Sequence, residues 1–327
     1  MNNSAMSRRG FLGASLMLAA PALLPRTAHA VTWPERPVRL IVPVAPGGSQ
    51  DIVARLLARH LGEALGQNLL VENLPGAGSN IGYDAAARAR PDGYTLLAGS
   101  DSLSINPALF ERLSFDPLKD FAPVLSGVRV PQILVVRTDA APQDLGAFVD
   151  SARQGPVAVG TPGNGSLSHL VGELMQQATE TRWTHVPYKG GALAVNDLMG
   201  GFLQGVWINI GAVTDHVRSG RLRGLAVSSA SRAAVLPDVP TLEEAGLRGL
   251  VATGWHGLVA PAGLDADIVA RLNAEGRKVL FHPEVAERLA SLGVEPLDEA
   301  PGALAARMAE DTSRWAAVVK RAGIRAD

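Results

Sequence analysis

The sequence predicts an α/β fold divided into two lobes that are joined by crossing strands around a central cleft. Three observations predict it. Short apolar, often β-branched runs alternate with helix-period segments after residue 30, the pattern of sheets flanked by helices. Glycine-rich turns join such a run to the helix after it, in "VAPGGSQDIVARLLARHLGEAL" (44–65) and again in "VAVGTPGNGSLSHLVGELMQQA" (157–178). Two long extended stretches, 124–145 and 246–261, are placed where a chain would cross between lobes and back, as a hinge-closing protein requires.

In chain order, the first thirty residues stand apart. "SRRGFLG" (7–13), with Arg8 and Arg9 paired, precedes an apolar run to Leu24, and "AHA" (28–30) supplies the small residues of a cleavage site. This reads as a twin-arginine export signal, too short and too broken by Gly13 and Pro21 to span a membrane comfortably. The mature chain then starts near Val31 and diffuses freely in the periplasm. Removing Arg8, Arg9 and Arg26 takes no acid away, so its net charge is about −4, with no basic excess for nucleic acid. The absence of cysteine excludes disulfides, thiolate catalysis and cysteine-held metals. No cofactor and no metal site are expected.

Strands are expected near 38–43, 69–72, 94–99, 132–137, 156–160, 206–209, 222–227 and 256–260. Helices are expected near 50–65, 79–89, 166–179, 190–200, 211–219, 265–281, 283–292 and 302–321. Ile52, Leu56, Leu57 and Leu61 set the period of the first helix; Ser166 is an N-cap before Leu167, Leu170, Val171 and Leu174. Pro283 opens a helix of the C-terminal tail and Gly293 closes it. The stretch 124–145 reads as two extended runs interrupted at Pro131, then a loop and a new helix. With a second crossing at 246–261, residues 31–131 and 255–327 make one lobe and 132–254 the other.

The turns carry the functional argument. A helix start exposes unpaired N–H groups that favour an anion. Gly47, Gly48 and Ser49 offer one such start, and Gly163, Asn164, Gly165 and Ser166 offer another in the other lobe. Ser100 and Ser102 in "LLAGSDSLSINPALF" (96–110), with Tyr188 and Gly190 in "HVPYKGGALAVNDLMGG" (185–201), add hydroxyl and turn donors at two further strand ends. Glycine after a strand is ordinarily turn chemistry; two such turns in separate lobes give the binding reading its weight. Neither turn is a P-loop or a dinucleotide fingerprint, and no Lys or Arg lies in 43–51 or 157–169. Backbone amides and hydroxyls suit a small carboxylate better than a polyphosphate.

"WPERPVRLIVPVAPGGSQDIVARLLARHLGEALGQNLLVENLPGAGSNIG" (33–82), "PDGYTLL", "SINPALF", "TPGNGSLSHL", "VPYKGG", "LPDVPTLEEAGL" and "GWHGLVAPAG" follow one another in this chain. As an ordered set they resemble the substrate-binding receptors of tripartite tricarboxylate transporters, the Bug receptors, from about Trp33 to the C-terminus. The resemblance implies a type II periplasmic-binding-protein fold, a small organic carboxylate held between the lobes, permease subunits in the membrane as partners, a monomer, and no catalysis. It also implies recognition of the carboxylate by backbone amides and ordered water at the strand-to-helix turns. Two departures bear on the ligand. Val44 stands where the family commonly has an aromatic residue, and Trp207-Ile208, followed by Asn209, stands where it usually has Phe-Asp. Asn209 joins the candidate ligand-binding residues, and Ile208 would suit an amino acid less than a more apolar carboxylate.

Other polar residues have competing readings. Asp51 sits in the first turn of its helix, where it complements the macrodipole and would repel a bound carboxylate at close range; capping outweighs ligand contact. His169 could donate to ligand or fix its turn from behind, and Tyr188 could line the cleft or pack at a hinge. Lys189 reads as solvated, and Trp207 and Trp255 as packing anchors. A hydrolase is the weaker alternative: Ser166, Ser168 and His169 form no nucleophile elbow, and the histidines show no zinc spacing. A sensor presenting its closed form to a membrane histidine kinase would use the same cleft.

Overall fold

The computed structural model describes residues 33–140 and 142–326. The segment with Arg8 and Arg9, expected from the sequence to be an export signal, lies outside them. β1 (Val38–Val42) leads into α1 (Ser49–Leu65), β2 (Leu69–Asn73), α2 (Asn80–Ala87), β3 (Thr95–Ser100) and α3 (Ser102–Leu109). β4 (Phe121–Arg137) follows, then α4 (Leu145–Gln154), β5 (Ala158–Thr161), α5 (Leu167–Thr179), β6 (Thr184–Pro187), α6 (Gly191–Met199) and β7 (Gly205–Asn209). The chain continues through α7 (Thr214–Arg218), β8 (Leu222–Val227) and β9 (Thr253–Pro261) to α8 (Ala266–Leu280), α9 (Pro283–Ser291), β10 (Glu295–Pro296) and α10 (Pro301–Ala322).

The strand order is β2-β1-β3-β9-β4-β7-β5-β6, with β8 and β10 also on β4. β1 lies parallel between β2 and β3, and β5 lies parallel between β6 and β7. β4 and β9 run antiparallel to their neighbours and connect the two parallel sets. β4 is one continuous strand, not two runs broken at Pro131. Residues 121–131 pair with β9 and residues 132–137 with β7 and β8, so the missing proline N–H falls at the changeover.

Both faces of β1 are buried, as a central parallel strand requires. Leu40 packs with Leu57, Leu61, Leu272 and Leu280, whereas Ile41 packs with Tyr83, Leu97, Trp255 and Leu304. In the second parallel set, Trp207 packs with Leu170 and Val171 on one face, and Ile208 with Val195 and Leu198 on the other. α10 joins two cores: Leu304 and Met308 pack against Trp255, and Trp315, Val318 and Val319 pack with Trp207.

Besides β4, four elements differ from expectation. α3 is a helix despite Pro107 and its short length, which together hid it. β6 is a partly exposed edge strand ending in proline, without the apolar signal of a central strand. β10 has two residues. The expected helix 211–219 divides into a 3₁₀ turn, Ile210–Ala212, and α7. Among the described residues no helix is long and apolar enough to cross a membrane.

Candidate functional site

A cleft of about 590 Å³ is lined on one side by Gly47, Gly48, Ser49 and Ile52, and on the other by Lys189, Gly190, Gly191, Ala192 and Leu193. Ile208 and Asn209, at the end of β7, also line it, as do Val44 and Leu292. Two helix starts, those of α1 and α6, therefore open on one space.

At α1 the N-cap is Gly48, in extended conformation (φ −77°, ψ 166°) and without a side-chain cap. Helical geometry leaves the N–H groups of Ser49 and Gln50 without intrahelical acceptors. The Gly47 N–H is already used: it donates to Asp51 Oδ2 at 3.0 Å. Asp51 also accepts from Arg55 Nε at 3.0 Å and Asn73 Nδ2 at 2.8 Å, and Asn73 Nδ2 donates in turn to the Val44 carbonyl at 2.9 Å. Asp51 is thus a buried clamp behind the turn, and it does not line the cleft. Burial alone would raise its pKa; the hydrogen bonds from Arg55, Asn73 and Gly47 outweigh burial and hold the carboxyl below its ordinary value.

A depressed acid contributes stability above its unfolded pKa and loses it as pH falls through the folded one. Asp51→Ala is expected to cost about 1–3 kcal/mol at neutral pH, because it removes the charge-assisted hydrogen bonds from Gly47, Arg55 and Asn73. Urea melts from pH 7 downward check this: the gap between wild type and variant should close below about pH 4. A gap independent of pH would remove the clamp.

Ser49 Oγ lies 3.2 Å from Nε2 of His256 on β9. Burial pushes the His256 imidazole down to about 4, against the opposing pull of the Trp255 backbone, so the ring is neutral at pH 7. His256 is held by a bulge in β4: the register shifts between Leu125 and Val128, and Gly127 adopts φ +66° beneath the His256 carbonyl.

At α6 the N-cap is Gly190, again without a side-chain cap. Its φ of +118° with ψ 153° lies in a region that is essentially glycine's alone. The Gly190 N–H donates to the Pro162 carbonyl at 3.0 Å, which leaves the N–H groups of Gly191 and Ala192 as the helix-start donors. Asn209 Oδ1 accepts from the Ala212 N–H at 3.2 Å, so its amide nitrogen remains to donate. Among the described residues lining the cleft, Lys189 alone has an ionisable side chain, and it is exposed.

Of the candidates from sequence, Gly47, Gly48, Ser49, Gly190 and Asn209 line this cleft. The others have different partners. Ser166 caps α5 itself, accepting from the His169 N–H at 3.3 Å and donating to the Gly163 carbonyl at 2.7 Å. Gly165 donates to His169 Nδ1 at 3.1 Å, and Asn164 Nδ2 donates to the Arg325 carbonyl at 2.6 Å. His169 stacks on His185 at 3.6 Å between ring centres and fixes its turn from behind. Tyr188 donates to Asp197 Oδ2 at 2.6 Å, and burial, then Asp197, pushes its phenol up to about 12. Ser100 and Ser102 bond each other at 2.9 Å and share the buried Tyr83 hydroxyl. The 163–166 turn is thus closed by its own cap, whereas the Gly190 turn is the open one.

Sequence reasoning missed His256 and the apolar walls Ile52, Leu193 and Leu292, and it read Lys189 as solvated only. The Lys189-Gly190-Gly191 run before an apolar helix was the available signal for the open start.

The sequence profile of the tripartite tricarboxylate transporter family receptor matches residues 53–324. BugT of Bordetella pertussis (strain Tohama I) is 39% identical over 318 residues, covering 96% of each chain. The structure of the periplasmic binding protein BugD is 35% identical, covers 90% of this chain and 99% of its own, and superposes with a TM-score of 0.79. The structure of R. palustris Rpa4515 with adipate is 33% identical over 90% of this chain and 99% of its own, with a TM-score of 0.82. The α/β architecture expected from the sequence is the two-lobed one of these structures. The chain belongs to the tripartite tricarboxylate transporter receptor family.

Proposed function

We propose that this protein captures a small organic carboxylate between the α1 and α6 starts and delivers it to the membrane permease of a tripartite transporter. One observation carries the reading: two helix starts without side-chain caps open on a single cleft whose described lining includes a lysine and no carboxylate. One carboxylate group accepts from the Ser49 and Gln50 N–H groups and the Ser49 hydroxyl. A second accepts from Gly191, Ala192 and the Asn209 amide, with the Lys189 ammonium beside it. Val44, Ile52, Leu193, Ile208 and Leu292 favour a hydrocarbon segment between the two groups, as in the adipate bound by the relative Rpa4515. A division into 31–131 with 255–327 against 132–254 puts α1 and α6 in different lobes. Ligand then favours the closed arrangement by bridging them, and the permease reads that state. The Arg8-Arg9 segment supports export to the periplasm.

Each charge-assisted hydrogen bond contributes roughly 1.5–3 kcal/mol, so four reach the roughly 8 kcal/mol of micromolar affinity. Calorimetry on protein unfolded and refolded to remove co-purified ligand tests the reading, with adipate, malate, aspartate and benzoate as titrants. Adipate should bind at micromolar Kd or tighter and aspartate about tenfold or more weaker, because no carboxylate in the described lining pairs an ammonium. Lys189→Met should weaken adipate about tenfold and flatten the salt dependence. Equal affinity for aspartate and adipate would remove the apolar-dicarboxylate assignment; no heat with any carboxylate would remove the receptor reading.

A further inference from the structure

We infer that His60, His282 and Glu284 form a binding site for a divalent metal ion of zinc type, separate from the carboxylate cleft and unforeseen in the sequence. His60 is the twelfth residue of α1; His282 is the N-cap of α9, and Glu284 is in its first turn. One ligating atom from each lies within 4.8 Å of the others. The His60 and His282 rings are 5.4 Å apart at 32°.

The second observation is an unpaired atom. His60 is 7% exposed, and its buried Nε2 has no hydrogen-bond partner. His216 Nδ1 and His256 Nδ1 are also buried without a partner, but among the described residues only His60 has a second imidazole and a carboxylate beside it, and a buried unpaired ring nitrogen calls for a physical reason. The tilted ring contact with His282 does not supply one, since it leaves the nitrogen unbonded. A metal ion does. Nδ1 of the same ring faces the exposed Glu63 carboxylate at 3.6 Å, so a small turn of Glu63 would let it accept from Nδ1–H and leave Nε2 free to bind, the carboxylate–imidazole–metal arrangement.

Two imidazoles and one carboxylate are a donor set that zinc takes with a fourth position open, and His282 and Glu284 are exposed, leaving that position to water. Bonds near 2 Å require donors about 3.4 Å apart. Rotation of the two exposed side chains closes the difference. Arg59 competes for Glu284, at 3.4 Å from Oε1, and for Glu63 at 3.6 Å. Both pairs are solvent-exposed, so the ion displaces a weak contact.

The site lies eleven residues, roughly 16 Å, along α1 from Ser49, so occupancy does not obstruct the cleft. It ties α1 to α9, and both helices end at the cleft, through Ser49 and Leu292. The ion is therefore a staple that holds one wall of the cleft in place.

Tag-free protein, stripped with chelator, is titrated with Zn²⁺ in a calorimeter beside His282→Ala, Glu284→Gln and the double variant. Both altered residues are exposed, so these variants keep the packing that His60→Ala would remove. One equivalent at micromolar Kd or tighter is expected, with a rise in Tm, a loss of tenfold or more in each single variant and no stoichiometric binding in the double. Adipate affinity should be unchanged in the double variant without metal, which separates failure here from failure of the carboxylate reading. Substoichiometric Zn²⁺, or undiminished binding in the double variant, would overturn the site.

Discussion

Gly48→Phe is expected to reduce adipate affinity at least a hundredfold while the protein stays folded. Gly48 caps α1 with an ordinary negative φ, lines the cleft, and has nothing within 4 Å of where a Cβ would stand. A benzyl group there covers the Ser49 and Gln50 N–H groups without straining the backbone. Exchanging a glycine N-cap for an apolar one costs about 1 kcal/mol or less. Gly47 is the poorer probe, because its φ of +97° strains any substituted side chain and its N–H belongs to the Asp51 clamp. Calorimetry with a parallel thermal melt decides: retained affinity with an unchanged melt would move the carboxylate away from α1. Lost affinity with a collapsed melt would say nothing specific about the cleft, so Gly48→Ala is measured beside it and should bind nearly as wild type.

Gly127→Ala is expected to cause the largest loss of stability, more than about 4 kcal/mol. An added Cβ would lie 2.0 Å from the His256 carbonyl oxygen and 2.9 Å from the Gly257 Cα. Both are backbone atoms of the adjacent crossing strand and cannot swing aside. The left-handed φ of +66° adds about 1–2 kcal/mol for any L-residue. Gly220→Ala isolates the second term: its φ is +70° and nothing lies within 4 Å. In denaturant melts Gly220→Ala should lose about 1–2 kcal/mol and Gly127→Ala several times that, with a Tm drop on the order of 10 °C. Equal losses would mean that the β4 bulge yields, and that His256 and its bond to Ser49 are less firmly seated than this packing implies.

Much of the site was legible, and the rest was hidden for one kind of reason. Gly47, Gly48 and Ser49 could be found because a strand, a glycine turn and an amphipathic helix are local patterns. Gly163 and Ser166 carry the same local pattern, yet their turn is closed by the Ser166 cap and His169 and then covered by distant segments: Leu109 lies against Gly165 and the Arg325 carbonyl takes Asn164. Nothing in 157–178 announces those partners. Asp51 likewise reads as a capping acid in sequence, and only Asn73, 22 residues on, makes it a clamp. Lys189 reads as solvated and is exposed in the fold; what the sequence did not announce is its place at the rim of the described cleft on which both uncapped helix starts open.

The sequence by itself determined the α/β class, nearly every central strand and long helix, and the anion-favouring first turn, because apolar periodicity and turn chemistry act within a few residues. Tertiary structure decided which second helix start faces the first, which hydroxyls are left over after capping, and which histidines meet. His60 and His282 are separated by most of the chain and carry no spacing motif; only the packing of α8 on α1, with α9 starting beside them, brings a buried, unbonded histidine near a second imidazole and a carboxylate. Contacts at that range are set by how the layers stack, and stacking depends on all the cores at once.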